Sequence, residues 1–109
     1  MVYKVDGQLQ AKSPELPDNF LLHKPYPNPF NPATSIRYDL PEDGLVRITV
    51  LDLAGRVVKT LVHEKQNNGA HTIVWNAVND YHIPVSAGIY FLSIKVDNSY
   101  ESQKMMLLK

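Results

Sequence analysis

Between Tyr26 and Pro32 the chain reads Tyr-Pro-Asn-Pro-Phe-Asn-Pro. Three prolines in so short a stretch fix φ near −65° at three positions and remove three backbone donors, so neither a helix nor a central strand can run through. Each proline also pushes the residue before it toward extended geometry, which keeps Tyr26, Asn28 and Asn31 out of the α region. A stiff, extended corner is the only local solution. Tyr26 and Phe30 are the two rings expected to pin that corner to whatever lies beneath it.

Beyond the corner the apolar residues alternate. Ile36, Tyr38 and Leu40 interleave with Ser35, Arg37 and Asp39, as in a half-buried strand. Pro41-Glu42-Asp43-Gly44 has turn chemistry, with Asp-Gly positioned to reach positive φ. Val46, Ile48 and Val50 then continue as a second strand, and the pair reads as a hairpin. Asp52-Leu53-Ala54-Gly55-Arg56 is the next reversal, and Arg56 to Val62 the third strand. Asn68-Gly69 is the strongest short hairpin signal in the chain; it leads to His71, Ile73 and Trp75 on one face. Asn76 to Pro84 is the longest irregular loop. Ile89 to Val96, apolar on both faces, reads as a central strand, and Tyr100 to Leu108 closes the chain. Strands at this spacing with no helical periodicity predict an all-β, antiparallel sandwich of about six to seven strands. Trp75, Tyr38, Tyr90 and Phe91 are its candidate large core side chains.

The residues ahead of the corner differ. Residues 1–24 read as a tether from a preceding domain and 25–109 as the sandwich. Ser13-Pro14-Glu15-Leu16-Pro17-Asp18-Asn19 is a polar, turn-rich spacer. Val2-Tyr3-Lys4-Val5 suits either the last strand of a preceding domain or an added edge strand, and Phe20-Leu21-Leu22 a short strand or an anchor.

Composition removes several functions. Eleven basic and eleven acidic side chains cancel, and no run of either sign stands out, so a nucleic-acid surface is not expected. Apolar runs reach only four residues, as in Ile89–Leu92 and Met105–Leu108, too short to span a membrane as a helix. Without cysteine there is neither a disulfide nor a thiolate metal site. The first residues lack the basic start and apolar core of a signal peptide, which leaves either a protein that stays inside the cell or a fragment whose export signal lies elsewhere; the motifs below favour the fragment.

No catalytic or metal pattern emerges. His23, His63, His71 and His82 share no ligand spacing. The Asn76-Ala77-Val78-Asn79-Asp80 loop offers oxygens but not the acidic density of a calcium loop; Asx-stabilised turns explain it as well. No Gly-x-Ser-x-Gly elbow is present, and Glu42/Asp43 and Asp97/Glu101 lie at turns, where solvated carboxylates are the default. The expectation is a non-enzyme with no cofactor and no metal.

Five motifs in order now carry a resemblance. Tyr26 to Ile36 is followed by Leu51-Asp52-Leu53-Ala54-Gly55-Arg56-Val57-Val58, then Gly69-x-His71-x-Ile73-x-Trp75. Next come Val85-Ser86-Ala87-Gly88-Ile89-Tyr90-Phe91 and the terminal Lys104-Met105-Met106-Leu107-Leu108-Lys109. Over residues 21–109 the set resembles the type A C-terminal sorting domain of the type IX secretion system, and is also similar to the Ig-like domain of the flagellar hook-capping protein. The resemblance implies a small Ig-like β-sandwich that addresses an N-terminal passenger for secretion or cell-surface display through the periplasm. It implies protein partners, namely the outer-membrane translocation machinery and a sortase-like peptidase that cuts near the tether, within residues 10–24. Pro27, Asn28, Pro29, Gly55, Arg56, Gly88, Tyr90, Lys104 and Lys109 are the candidate recognition residues on that reading. The last strand is the favoured docking element, by pairing its edge with a partner, although it could equally just complete the sheet. Gly55-Arg56 is a turn before it is a recognition spot. Gly88 is expected to allow close packing or a bulge. One departure is local: relatives carry Asp-Gly after the tryptophan and a glycine further on, where this chain has Asn76-Ala77 and Tyr81-His82-Ile83-Pro84. Two other readings stay open, a structural Ig-like spacer or hook-cap-like scaffold, and a carbohydrate-binding sandwich using Tyr81, Tyr100 or Trp75.

Overall fold

The computed structural model describes residues 20–108; Val2–Val5, Ser13–Asn19 and Lys109 lie outside them. Among the described residues seven strands follow one another: β1 (Leu21–Leu22), β2 (Thr34–Leu40), β3 (Gly44–Leu51), β4 (Val57–Gln66), β5 (Gly69–Trp75), β6 (Gly88–Val96) and β7 (Ser99–Leu107). They form two antiparallel sheets, β1-β2-β5 and β4-β3-β6-β7. The alternation seen in the sequence becomes burial: Ile36, Tyr38 and Leu40 face Val46, Ile48, Val50, Leu92 and Ile94 across the interior. Burying one such side chain contributes roughly 1.5–3 kcal/mol, and this apolar layer is what holds the two sheets together.

Two expected hairpins are sheet crossings instead. β2 and β3, joined by Pro41–Asp43, lie in opposite sheets, and so do β4 and β5 across Asn67-Asn68. A tight reversal can lay two strands side by side or arch them over a core. Here the apolar faces of both pairs meet across the interior, so the arch wins. The Asn68 amide donates to Asp43 Oδ1 at 2.8 Å, tying the two arches together. Strand β4 also runs further than Val62, because its polar end keeps pairing with β3 as far as Gly44–Gln66.

Gly44 corrects another expectation. It has no positive φ; it opens β3, and a Cβ there would lie 2.9 Å from Asp97 Oδ2 and 3.2 Å from Val96 Cγ1. Space, not conformation, calls for glycine. Trp75 and Tyr38 are fully buried and Tyr90 nearly so, as expected, but Phe91 points to the outer face of the four-stranded sheet and is only half-buried. Phe30 takes its place in the core. The Tyr38 hydroxyl reaches the Gln66 side chain and its ring stacks on His71 at 5.3 Å; burial raises the Tyr38 pKa, against the pull of the Gln66 hydrogen bond.

The sandwich has two poles. At one, Phe20 and β1 enter beside Leu40 and the 41–43 and 97–98 turns. The proline corner, the 52–56 turn, the loop after Trp75 and the end of β7 gather at the other.

Candidate functional site

At the far pole the proline corner is a strap joining the edges of both sheets. Its first part runs along β2: the His23 amide donates to the Arg37 carbonyl, and Tyr26 and Ser35 exchange both backbone bonds at 2.9–3.0 Å. It then crosses to β7. Asn28 Nδ2 donates to the Lys104 carbonyl at 3.1 Å, and the Met106 amide donates back to Asn28 Oδ1 at 3.0 Å. Phe30 continues as a parallel bridge, its amide on the Met106 carbonyl and its carbonyl accepting from Leu108, both 2.9 Å. Pro27 and Pro29 have no donors to leave stranded in mid-crossing, and the Pro27 carbonyl accepts from the buried Thr34 hydroxyl at 2.8 Å.

Only one of the two expected rings pins the strap. Phe30 is 1% exposed, whereas Tyr26 is 79% exposed and is held by its backbone bonds to Ser35. Phe30 leads a chain of aromatic contacts into the core, 5.6 Å from Trp75, which lies edge-on 5.3 Å from Tyr90. Each such pair adds about 0.5–1.5 kcal/mol beyond its buried area. Three distant segments, the strap, the end of β5 and the start of β6, thus share one cluster. The Tyr90 hydroxyl donates to the Ser86 carbonyl at 2.6 Å, and its pKa is raised by burial and then by the Asp52 charge. Gly88 stands at φ 148° with nothing within 4 Å of an added Cβ. Its backbone conformation, rather than the close packing expected, therefore requires glycine.

The Gly55-Arg56 turn is organised by a residue the recognition set leaves out. Asp52 Oδ1 accepts from the Ala54 and Arg56 amides, both 2.9 Å, and Oδ2 from Arg56 Nε at 3.0 Å. The Arg56 amide, aided by its guanidinium and the Ala54 amide, lowers the Asp52 pKa below the ordinary 3.8. An aspartate two residues ahead of Ala-Gly-Arg, able to form an Asx turn, was the available signal. The Arg56 side chain remains 80% exposed.

The loop after Trp75 turns without the family's glycines by placing two ordinary residues, Ala77 and His82, at φ 64°. Asn79 compensates: its Oδ1 accepts from the Tyr81 and Ile83 amides at 2.8 and 3.0 Å. Asp80 Oδ1 accepts from the Thr60 amide, and the Trp75 indole donates to the Val78 carbonyl at 2.8 Å. The Oδ1 atoms of Asn79 and Asp80 are thus engaged by the chain's own amides. Among the described residues no three histidine or acidic side chains converge as a metal site would need. His23 pairs with Asp39 at 2.8 Å and His71 with the Asn67 carbonyl at 2.7 Å. Trp75, a candidate sugar platform, is wholly buried, while Tyr81 and Tyr100 are exposed.

The structure gathers the candidate residues into two neighbourhoods of one pole. Asn28 and Pro29 meet Lys104 at the edge of β7, with Pro27 beside them on Thr34; Arg56 faces Gly88 and Tyr90 across a shallow surface depression, and Gly55 precedes it in the turn. Lys109 lies outside the described residues. The outward-facing backbone of β7 from Lys104 to Leu108 is where a docking strand was expected, and the strap already occupies most of it.

Two solved structures from Porphyromonas gingivalis share this fold. Dimeric latent PorU superposes with a TM-score of 0.69 at 19% identity, over 92% of this chain and 10% of that one. PorZ, a surface component of the type IX secretion system, gives 0.55 at 15% identity, over 81% of this chain and 11% of PorZ. The chain therefore spans about a tenth of either protein. No curated protein sequence matches it. The sequence model described as secretion system C-terminal sorting domain matches residues 24–108, from the strap through the end of β7. The chain belongs to that family, the C-terminal sorting domains that direct proteins to type IX secretion.

Proposed function

We propose that this domain is presented as a folded, non-catalytic handle, in the periplasm, to the outer-membrane translocation machinery, and that a sortase-like peptidase then removes it from its passenger. Family membership makes it a sorting signal of an exported protein bound for the cell surface or the medium. The strap is the observation that most supports a folded handle. It covers one edge of each sheet, and such edges would otherwise recruit wrong partners during transit. The tether side supports a cut upstream of Phe20: Phe20 and Leu22 are buried and His23 is bonded to Arg37, so a protease needing an extended substrate is poorly served by residues 20–24. Within the expected 10–24 window, that leaves 10–19.

Fusing the 109-residue chain behind a reporter with its own signal peptide, in a host carrying the type IX machinery, tests this. Export of the reporter, with the released handle beginning at or before Phe20, is the expected result. A reporter retained in the periplasm with an intact fusion would refute it.

A further inference from the structure

Folding assembles a cluster of charge that is invisible along the chain. On the outer face of the four-stranded sheet, cross-strand neighbours line up in bands. Arg47 stands opposite His63 on one side and Lys95 on the other, and Lys95 opposite Tyr100. The next band holds Thr60, Thr49, Ser93 and Ser102, and the next Val57, Leu51, Phe91 and Lys104. With a rise of ~3.3 Å per residue, successive bands are ~7 Å apart. Arg47, Thr49, Leu51, Val57, Ser93, Lys95 and Tyr100 line one shallow depression on this face. No carboxylate of the described strand residues shares it: Glu64 and Glu101 pair with the inward-facing Val46 and Ile94. Among the described residues, no ion pair engages Arg47, Lys95 or Lys104.

Like charges directly opposite on neighbouring strands destabilise a sheet. Arg47 against Lys95 therefore works against folding, and among the described residues no ion pair offsets it. We propose that this face docks on a carboxylate-rich surface of a protein of the secretion machinery, an acidic side chain seating between Arg47 and Lys95 over the Thr49–Ser93 floor. The inference rests on the sorting reading above. A protein fits better than an anionic bilayer, because the cations sit on a flat face. The protruding apolar residues of the far pole, Leu53 and Tyr81, have Asp52 and Asp80 beside them, which a negative membrane would repel.

The test is export of the reporter fusion, paired with melting of the purified chain. Arg47→Gln/Lys95→Gln should leave the melting temperature unchanged or higher while lowering export several-fold, and Arg47→Glu/Lys95→Glu should lower export at least tenfold. Arg37→Glu, on the other sheet, should export normally. A photo-crosslinker at Ser93 should yield an adduct mapping to an acidic surface of a type IX component. Wild-type export with equal export of the double glutamate variant overturns the docking face but not the sorting reading. Failure of the wild-type fusion overturns both. Co-sedimentation of the chain with phosphatidylglycerol vesicles, abolished by the double glutamine variant, would assign the face to lipid and overturn the proposal.

Discussion

Replacing Asn28 by alanine isolates the contribution of the strap. Both hydrogen bonds of the side chain, at 3.1 Å to the Lys104 carbonyl and 3.0 Å from the Met106 amide, are removed while Phe30 stays in its pocket. A hydrogen bond contributes about 0.5–1.5 kcal/mol net, and here both partners are exposed enough for water to replace Asn28. The expected loss is therefore about 1–2 kcal/mol. For a domain of this size each kcal/mol moves the midpoint by roughly 4–8 °C, so Tm should fall by about 5–15 °C. Calorimetry reads that shift, and amide exchange locates it. The Met106 amide should lose protection, whereas the Met105 and Leu107 amides, which face β6, should keep theirs. Asn28→Asp should be no better than alanine, because it sets an oxygen against the Lys104 carbonyl. A Tm within about 2 °C of wild type, with Met106 exchange unchanged, would refute the view that Asn28 clamps the β7 edge.

Other expectations follow from the same geometry. Trp75→Ala empties the centre of the Phe30–Trp75–Tyr90 cluster; a cost of about 3–5 kcal/mol should leave little cooperative unfolding in a urea titration. His82→Gly relieves a left-handed residue on an exposed loop, where strain of ~1–2 kcal/mol is partly offset by the added freedom of the unfolded chain, so stability should rise by about 0.5 kcal/mol. Ala77→Gly, at the same φ, should gain almost nothing, since it also discards a buried methyl contributing about 0.8 kcal/mol; denaturation midpoints of the two variants separate the cases. Asp52 has a folded pKa below its unfolded value, so its contribution is complete above the unfolded pKa and is lost as pH falls through the folded one. Stability measured from about pH 5 down to pH 3 should therefore drop less steeply in Asp52→Asn than in wild type.

The far pole shows how much a single chain can announce. Proline at positions 27, 29 and 32 dictates an extended corner whatever surrounds it, because φ and the missing donors are local properties. Period-2 alternation likewise settles which side of each strand is buried, since a pleated strand sends successive side chains to opposite faces. From these alone follow an all-β chain, the inward Ile36, Tyr38 and Leu40, and the inner place of β6. The five motifs in order were enough to suggest the family.

Partnership between strands was a different matter. Turn chemistry at Pro41–Asp43 and Asn67-Asn68 fits a hairpin or an arch equally, and only the meeting of two apolar faces chose the arch. Tyr26 and Phe30 looked alike as rings, yet the parallel bridge to Leu107 turned one inward and left the other in solvent. Arg47 and Lys95 are 48 residues apart in a chain of zero net charge, and become neighbours only because β3 pairs with β6. Dihedral limits and side-chain alternation act over one or two residues and can be read from order alone. Sheet assignment, edge covering and the summing of charge depend on which distant segments touch, and that is decided by packing the whole chain around one core.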